Sequence, residues 1–193
     1  PNRLTGVMCC WDLLLPHGLS QMPASAQVVR LGSMPASRRL EAWLASQQGP
    51  QLLITEADPR PLDPLEVAQQ WSGGLAEWWQ QLSPQLNAIP AGSSAPTPQT
   101  RSVLESWENA DAAGGKRLSA LLPIQGAANE PALMVALAQL LPAERPVMLA
   151  ASSPVRDWQA FAAGDTGRRR CFSFRGASGI DGTLSLALGL AAE

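Results

Sequence analysis

Apolar positions recur along this chain with two periods, and the two alternate. Residues 27–31 (Gln27-Val28-Val29-Arg30-Leu31) are rich in β-branched side chains, which predicts a short strand. A helix is expected from about Ser37 to Gln48. Ser37 suits its N-cap, and Leu40, Trp43 and Leu44 fall at the i, i+3, i+4 spacing of one buried face. Gly49-Pro50 stops that pattern, and residues 51–55 read as the next strand. The stretch 27–55 is therefore expected to be a strand–helix–strand crossover with parallel strands.

A second unit of the same kind is predicted near the C-terminus. Asn129-Glu130-Pro131 opens an apolar helix that runs through Leu140, residues 146–150 form a strand, and Ser152-Ser153-Pro154 begins a further helix with serine at its cap. Residues 171–174 are the next strand, followed by a glycine-rich loop and an apolar, helix-like run from Thr183 to Ala191. Between the two units, residues 65–82 carry Ala68, Trp71, Leu75, Trp78, Trp79 and Leu82 at roughly helical spacing, with Gly73-Gly74 either interrupting that helix or starting a second one. That tryptophan stripe reads as core. Residues 83–100 hold four prolines among small polar residues and read as a linker. Residues 101–122 look helical, with a weak spot at Gly114-Gly115. The apolar run 7–15 does not decide between strand and helix.

Composition narrows the function class. Net charge is −2, which points away from nucleic acid and from an anionic membrane as partners. No segment reaches the roughly 18 apolar residues of a membrane span, and no secretory signal pattern opens the chain. Three cysteines, Cys9 and Cys10 adjacent, make a poor disulfide framework and suggest a reducing, cytoplasmic compartment. No ligand-pair spacing joins His17 to Cys9, Cys10 and Cys171 as a zinc site, so no metal ligands are expected. The first residue is Pro1 rather than Met, which reads as a processed product or a piece of a longer chain.

Candidate chemistry gathers where parallel strands end. Ligands bind beyond the carboxyl ends of such strands. After strand 27–31 come Arg38 and Arg39, in the first turn of a helix. After 146–150 come Ser152 and Arg156, and after 171–174 comes Arg175. Arginines near helix N-termini oppose the helix dipole, which suggests an anion to bind. The run Arg168-Arg169-Arg170 reads instead as a surface charge cluster.

The eight residues Arg175-Gly176-Ala177-Ser178-Gly179-Ile180-Asp181-Gly182, preceded by an apolar strand and followed by the apolar helix, resemble the signature of the 2-succinyl-5-enolpyruvyl-6-hydroxy-3-cyclohexene-1-carboxylate synthases (MenD), thiamine-diphosphate enzymes of menaquinone and phylloquinone synthesis, with Phe174 where the family usually has asparagine. Two further stretches support the resemblance. Ala150-Ala151-Ser152-Ser153-Pro154-Val155-Arg156-Asp157 is similar to the family's G-N-S-M-P-V-R-D element, with alanine for its glycine and asparagine and serine for its methionine. Gly32 to Trp43 is similar to G-x-x-P-T-S-K-x-L-x-x-W, with Arg38 for lysine.

The resemblance implies an α/β fold of the thiamine-diphosphate-enzyme type, built of parallel Rossmann-like units and incomplete in this chain. It implies a division into 1–82, the later part of a central domain, 83–128, a linker and connecting helix, and 129–193, the start of a diphosphate-binding domain. It implies a transferase that decarboxylates 2-oxoglutarate and adds the succinyl carbanion to isochorismate. Arg156, Arg175 and Ser152 would hold the carboxylate derived from 2-oxoglutarate, and Arg38 and Arg39 would face isochorismate. Ser178, Gly179 and Ile180 would line the pocket of thiamine diphosphate, with Ile180 as the apolar wedge. Magnesium (Mg2+) and a homo-oligomer would belong to the full-length enzyme. The activating glutamate and the metal-binding motif of the family are not found in these 193 residues, so the stretch is expected to be inactive alone. The competing expectation is a non-catalytic Rossmann-like module for a nucleotide or effector, with Glu56 or Asp58 placed for a ribose. It is weakened by the lack of G-x-G-x-x-G at Gly32.

Overall fold

A computed structural model describes residues 7–17, 19, 26–88, 97–122, 128–162, 169–174 and 181–192. They fall into two compact units, Leu15–Asn109 and the combination of Pro1–Leu14 with Ala110–Glu193. The architecture is mixed α/β with parallel strands.

In the 15–109 unit, β1 (Val28–Leu31) and β2 (Gln51–Ile54) pair in parallel with Val28 opposite Gln51. Helix α2 (Arg38–Ser46) connects them, as its pattern predicted. Ser37 caps α2 by accepting from the Leu40 N–H at 3.1 Å. At the other end the Gln51 amide donates to the Leu44 carbonyl at 2.8 Å, tying the helix to the strand that follows. Leu44, Leu53 and Ile54 form the driest part of this unit. Trp43 of α2 meets Trp107 edge-on, with centroids 6.0 Å apart.

The helical reading of 65–82 is corrected before Gly73-Gly74, and the alternative of a helix starting there holds. Gln69–Trp71 is a third strand, β3, parallel to β2, and α3 (Gly74–Asn87) begins only afterwards. Strand β2 is central in the order β1–β2–β3 and buries both faces, so it needs a hydrogen-bonding neighbour on each side. That requirement overrides the helical spacing of Ala68, Trp71 and Leu75. The proline-rich stretch 83–100 is helical at both of its described ends. Helix α3 continues through Pro84, and α4 (Pro98–Leu121) starts on a proline. Its first turn is capped by Thr97, whose hydroxyl accepts from the Thr100 N–H at 3.2 Å.

In the second unit, α1 (Trp11–Leu14) makes the later part of the ambiguous N-terminal run helical, while residues 7–10 are neither helix nor strand. Helix α4 passes through Gly114-Gly115 unbroken; a Cβ at Gly114 would stand 3.4 Å from the Cys10 Cβ, so glycine there permits close approach. Helices α5 (Glu130–Leu140) and α6 (Ser153–Phe161) pack against each other beside the parallel pair β4 (Val147–Leu149) and β5 (Cys171–Ser173). Met134, Leu149, Trp158 and Ala162 make the core. Helix α7 (Thr183–Ala191) follows the glycine loop and has no buried residue.

Candidate functional site

Because β1, β2 and β3 run parallel, their carboxyl ends share one edge. The backbone turns sharply there: Gly32, Ala57 and Gly74 have φ of +79°, +50° and +87°. Much of the polar capacity at this edge is already engaged. The Gly32 N–H donates to the Ile54 carbonyl at 2.9 Å, and the Gly74 N–H to the Thr55 carbonyl at 3.0 Å. Glu56 accepts from the Leu75 N–H at 3.1 Å and so occupies the N-terminus of α3. Asp58 holds Arg60 through two contacts of 2.9 and 2.6 Å, and this partner depresses the Asp58 carboxyl to a pKa of about 2. Glu56 and Asp58, the carboxylates that would suit a ribose, thus both have protein partners.

The start of α2 is different. Arg38 and Arg39 occupy its first two positions and are both exposed. A cation at a helix N-terminus is unfavourable by roughly 0.3–1 kcal/mol. Among the described residues the Arg38 guanidinium makes no ion pair or hydrogen bond. Arg30 and Arg60 of the same unit are held by Asp63 and Asp58. Arg38 is therefore an available fork beside the sheet edge, suited to a carboxylate.

In the other unit, the chain leaves β4 through Ala150-Ala151 and reaches Ser152 with φ +83° and ψ −130°, a conformation other residues than glycine rarely adopt. The hydroxyl of Ser152 does not cap α6, contrary to expectation. Ser153 instead bonds inside the helix, donating to the Asp157 carboxylate one turn on. Ser152 and Arg156 stand four residues apart at the start of α6, one helical turn from each other. Both are exposed, and the Arg156 side chain, like that of Arg38, makes no ion pair or hydrogen bond among the described residues. The structure thus brings Ser152 and Arg156 together in one unit and Arg38 and Arg39 together in the other. Arg175, Ser178, Gly179 and Ile180 lie outside the described residues. Among the described residues no group of three His, Cys, Asp or Glu side chains is placed to hold a metal ion. No helix there is long and apolar enough to cross a membrane.

Three polar anchors escaped the sequence-based expectations. Arg169, expected in a surface cluster, is buried. Its guanidinium donates to the carbonyls of Leu141 (3.0 Å), Pro142 (2.7 Å) and Arg145 (3.2 Å), just past the C-terminus of α5, and lies 5.9 Å from the centre of the Trp158 ring. A cation is favoured there by the helix dipole. Nothing in a run of three arginines marks the middle one for burial. Asp111, in the middle of α4, accepts from the N–H groups of Cys9 (2.8 Å) and Cys10 (2.7 Å) and pins the N-terminal segment. Asp63 pairs with Arg30 of β1 and also accepts from the N–H groups of Leu65, Val67 and Ala68. An aspartate before proline signals a turn, but its partner 33 residues away is not legible locally.

No protein-family model matches the chain. It is 72% identical over all 193 residues to a 2-succinyl-5-enolpyruvyl-6-hydroxy-3-cyclohexene-1-carboxylate synthase of Synechococcus sp. (strain CC9311), covering 33% of that protein. Synthases of the same name from Synechococcus strains CC9605 and WH7803 are 56% and 57% identical over 193 residues, covering 30% and 32% of their lengths. One from Prochlorococcus marinus (strain MIT 9313) is 52% identical over 192 residues, covering 32%. Over its whole length the chain is thus similar to proteins named 2-succinyl-5-enolpyruvyl-6-hydroxy-3-cyclohexene-1-carboxylate synthase, and it spans about a third of the length of those relatives.

Proposed function

We propose that these 193 residues are a segment of a thiamine-diphosphate-dependent transferase that decarboxylates 2-oxoglutarate and adds the succinyl carbanion to isochorismate. The identity of 72% over the whole chain to a synthase of that name carries the proposal. The substrates are carboxylates, and the guanidinium forks of Arg38 and Arg156, which make no ion pair or hydrogen bond among the described residues, stand beyond strand ends, where carboxylates would be held. Arg39 and Arg175 would add charge to the two sets, and Ser152 a hydroxyl. Thiamine diphosphate, when bound with magnesium, supplies the electron sink that a 2-oxoacid needs to lose carbon dioxide. Its place against Ser178, Gly179 and Ile180 is carried by the resemblance alone. Each substrate would be fixed by arginine before reaction, so that positioning rather than proton transfer is this segment's part in the chemistry.

The test is a chimera in which this stretch replaces the corresponding third of the CC9311 synthase. Turnover of 2-oxoglutarate and isochorismate is expected from the chimera, and none from the 193 residues alone. Arg38→Ala and Arg156→Ala should each raise the KM of one substrate more than they lower kcat. A folded but inert chimera, or turnover by the isolated chain, would overturn the proposal.

A further inference from the structure

Packing explains only one of the two adjacent glycines inside α4. A Cβ at Gly114 would stand 3.4 Å from the Cys10 Cβ, whereas one at Gly115 would meet nothing within 4 Å among the described residues. Glycine inside a helix is unfavourable relative to alanine, so a helical glycine that nothing packs against marks space kept clear for a close approach. Gly115 opens onto a cavity of about 560 Å³, within the roughly 300–1,000 Å³ of small-molecule sites. Every wall of that cavity belongs to the second unit. Neither Ser152 nor Arg156 lines it, so it is separate from the substrate set proposed in that unit.

The walls have a polarity. Leu118 of α4, Val135 of α5 and Phe161 at the end of α6 are its apolar sides, all half-buried. Its donors are the Lys116 ammonium and the Gln139 amide, whose side chains make no ion pair or hydrogen bond among the described residues. Asp111 also lines the cavity, and its carboxylate accepts from the Cys9 and Cys10 N–H groups. Asp111 stands five residues before Lys116 on α4, about 7.5 Å along the axis. An anion is therefore favoured at the Lys116 end and repelled at the Asp111 end.

We propose that this cavity binds a small amphiphilic anion. Its carboxylate or sulfonate takes the Lys116 ammonium and the Gln139 amide, and its apolar body lies over Gly115 between Leu118, Val135 and Phe161. An inorganic anion would leave the apolar walls wet, and a neutral apolar molecule would leave the donors unmatched. The inference does not depend on the reaction proposed above.

The test is titration of the CC9311 chimera with the dye anilinonaphthalene sulfonate, read by its fluorescence. Saturable binding at one site of this stretch is expected. Gly115→Leu puts a side chain into the cavity and should weaken that binding at least tenfold. It should not lower the Tm, because leucine is a better helix former than glycine and meets open space at this position. Lys116→Met should weaken binding about tenfold, the loss expected for one charged hydrogen bond. The same dye without its sulfonate should bind the parent chimera about tenfold more weakly and should be indifferent to Lys116→Met. Absence of saturable binding, or binding that Gly115→Leu and Lys116→Met both leave unchanged, would overturn the inference. So would a fall in Tm on Gly115→Leu, since polypeptide outside this stretch would then already fill the cavity. Binding is read without turnover: an inert chimera that binds the dye at this site would sink the synthase proposal and leave this one standing, and an active chimera that does not bind it would do the reverse.

Discussion

Replacing Asp63 with alanine should come close to unfolding the 15–109 unit. The carboxylate faces Arg30 at 2.8 and 2.9 Å, and the two side chains are 6% and 11% exposed. Asp63 also accepts from three backbone N–H groups of the loop between β2 and β3. Among the described residues the buried Arg30 Nε has no acceptor, so Asp63 is the main compensation there for that charge. Removing one partner of a buried pair costs about 3–5 kcal/mol, because the other charge stays buried. Whole domains are stable by only about 5–15 kcal/mol. The assay is urea unfolding followed by tryptophan fluorescence, with Trp43, Trp71, Trp78, Trp79 and Trp107 all in this unit. At an m-value near 2 kcal/mol/M, the midpoint should fall by about 2 M. Arg30→Met together with Asp63→Leu should recover part of the loss, because both charges go while the loop N–H groups still lack an acceptor.

Acid supplies an independent arm of the same test. The hydrogen bond from Arg30 holds the Asp63 carboxyl well below the usual carboxylate range. Its contribution is complete above the unfolded pKa of about 4 and is lost as pH falls below that value. The gap between the native chain and Asp63→Ala should therefore narrow in acid. A loss under about 1 kcal/mol at neutral pH, or a gap that does not change between pH 6 and pH 3, would refute the reasoning.

Three further predictions concern the other unit. Arg169→Ala should destabilise it by about 2–4 kcal/mol, through the carbonyls of Leu141, Pro142 and Arg145 left without their charged donor; Arg169→Lys should restore only part, as a single ammonium cannot copy the fork, and thermal unfolding reads both. Asp111→Ala should cost about 2–3 kcal/mol and expose residues 9–14 to limited proteolysis, because the Cys9 and Cys10 N–H groups lose their shared acceptor. Ser152→Gly should raise the Tm, by relief of about 1 kcal/mol of backbone strain at φ +83°, and should lower the activity of the chimera if the hydroxyl serves the substrate.

Much of the fold was legible because local and global preferences agree. Val28–Leu31 and Gln51–Ile54 are β-branched or leucine-rich runs bounded by breakers, and the α2 pattern between them admits few other arrangements than a parallel crossover. Ser37 was readable as a cap because capping depends on neighbours three residues away. The strand Gln69–Trp71 was not readable: its residues fit a helical spacing, and only the unpaired edge of β2 requires them to extend. The arginines of the candidate site were visible as charges in the right places. Which of them have partners among the described residues was not, since Arg30, Arg60 and Arg169 look no different in the sequence from Arg38 and Arg156.

The sequence by itself therefore determined the α/β class, the order of most elements and the similarity to the synthases, because each rests on patterns a few residues wide or on a contiguous signature. Tertiary structure decided which charges are structural. Pairing Arg30 with Asp63, seating Asp111 against Cys9 and Cys10, and turning Arg169 inward onto the end of α5 all depend on residues far apart in the chain. A charge stays buried only where its partner arrives in space, and no local pattern records that arrival.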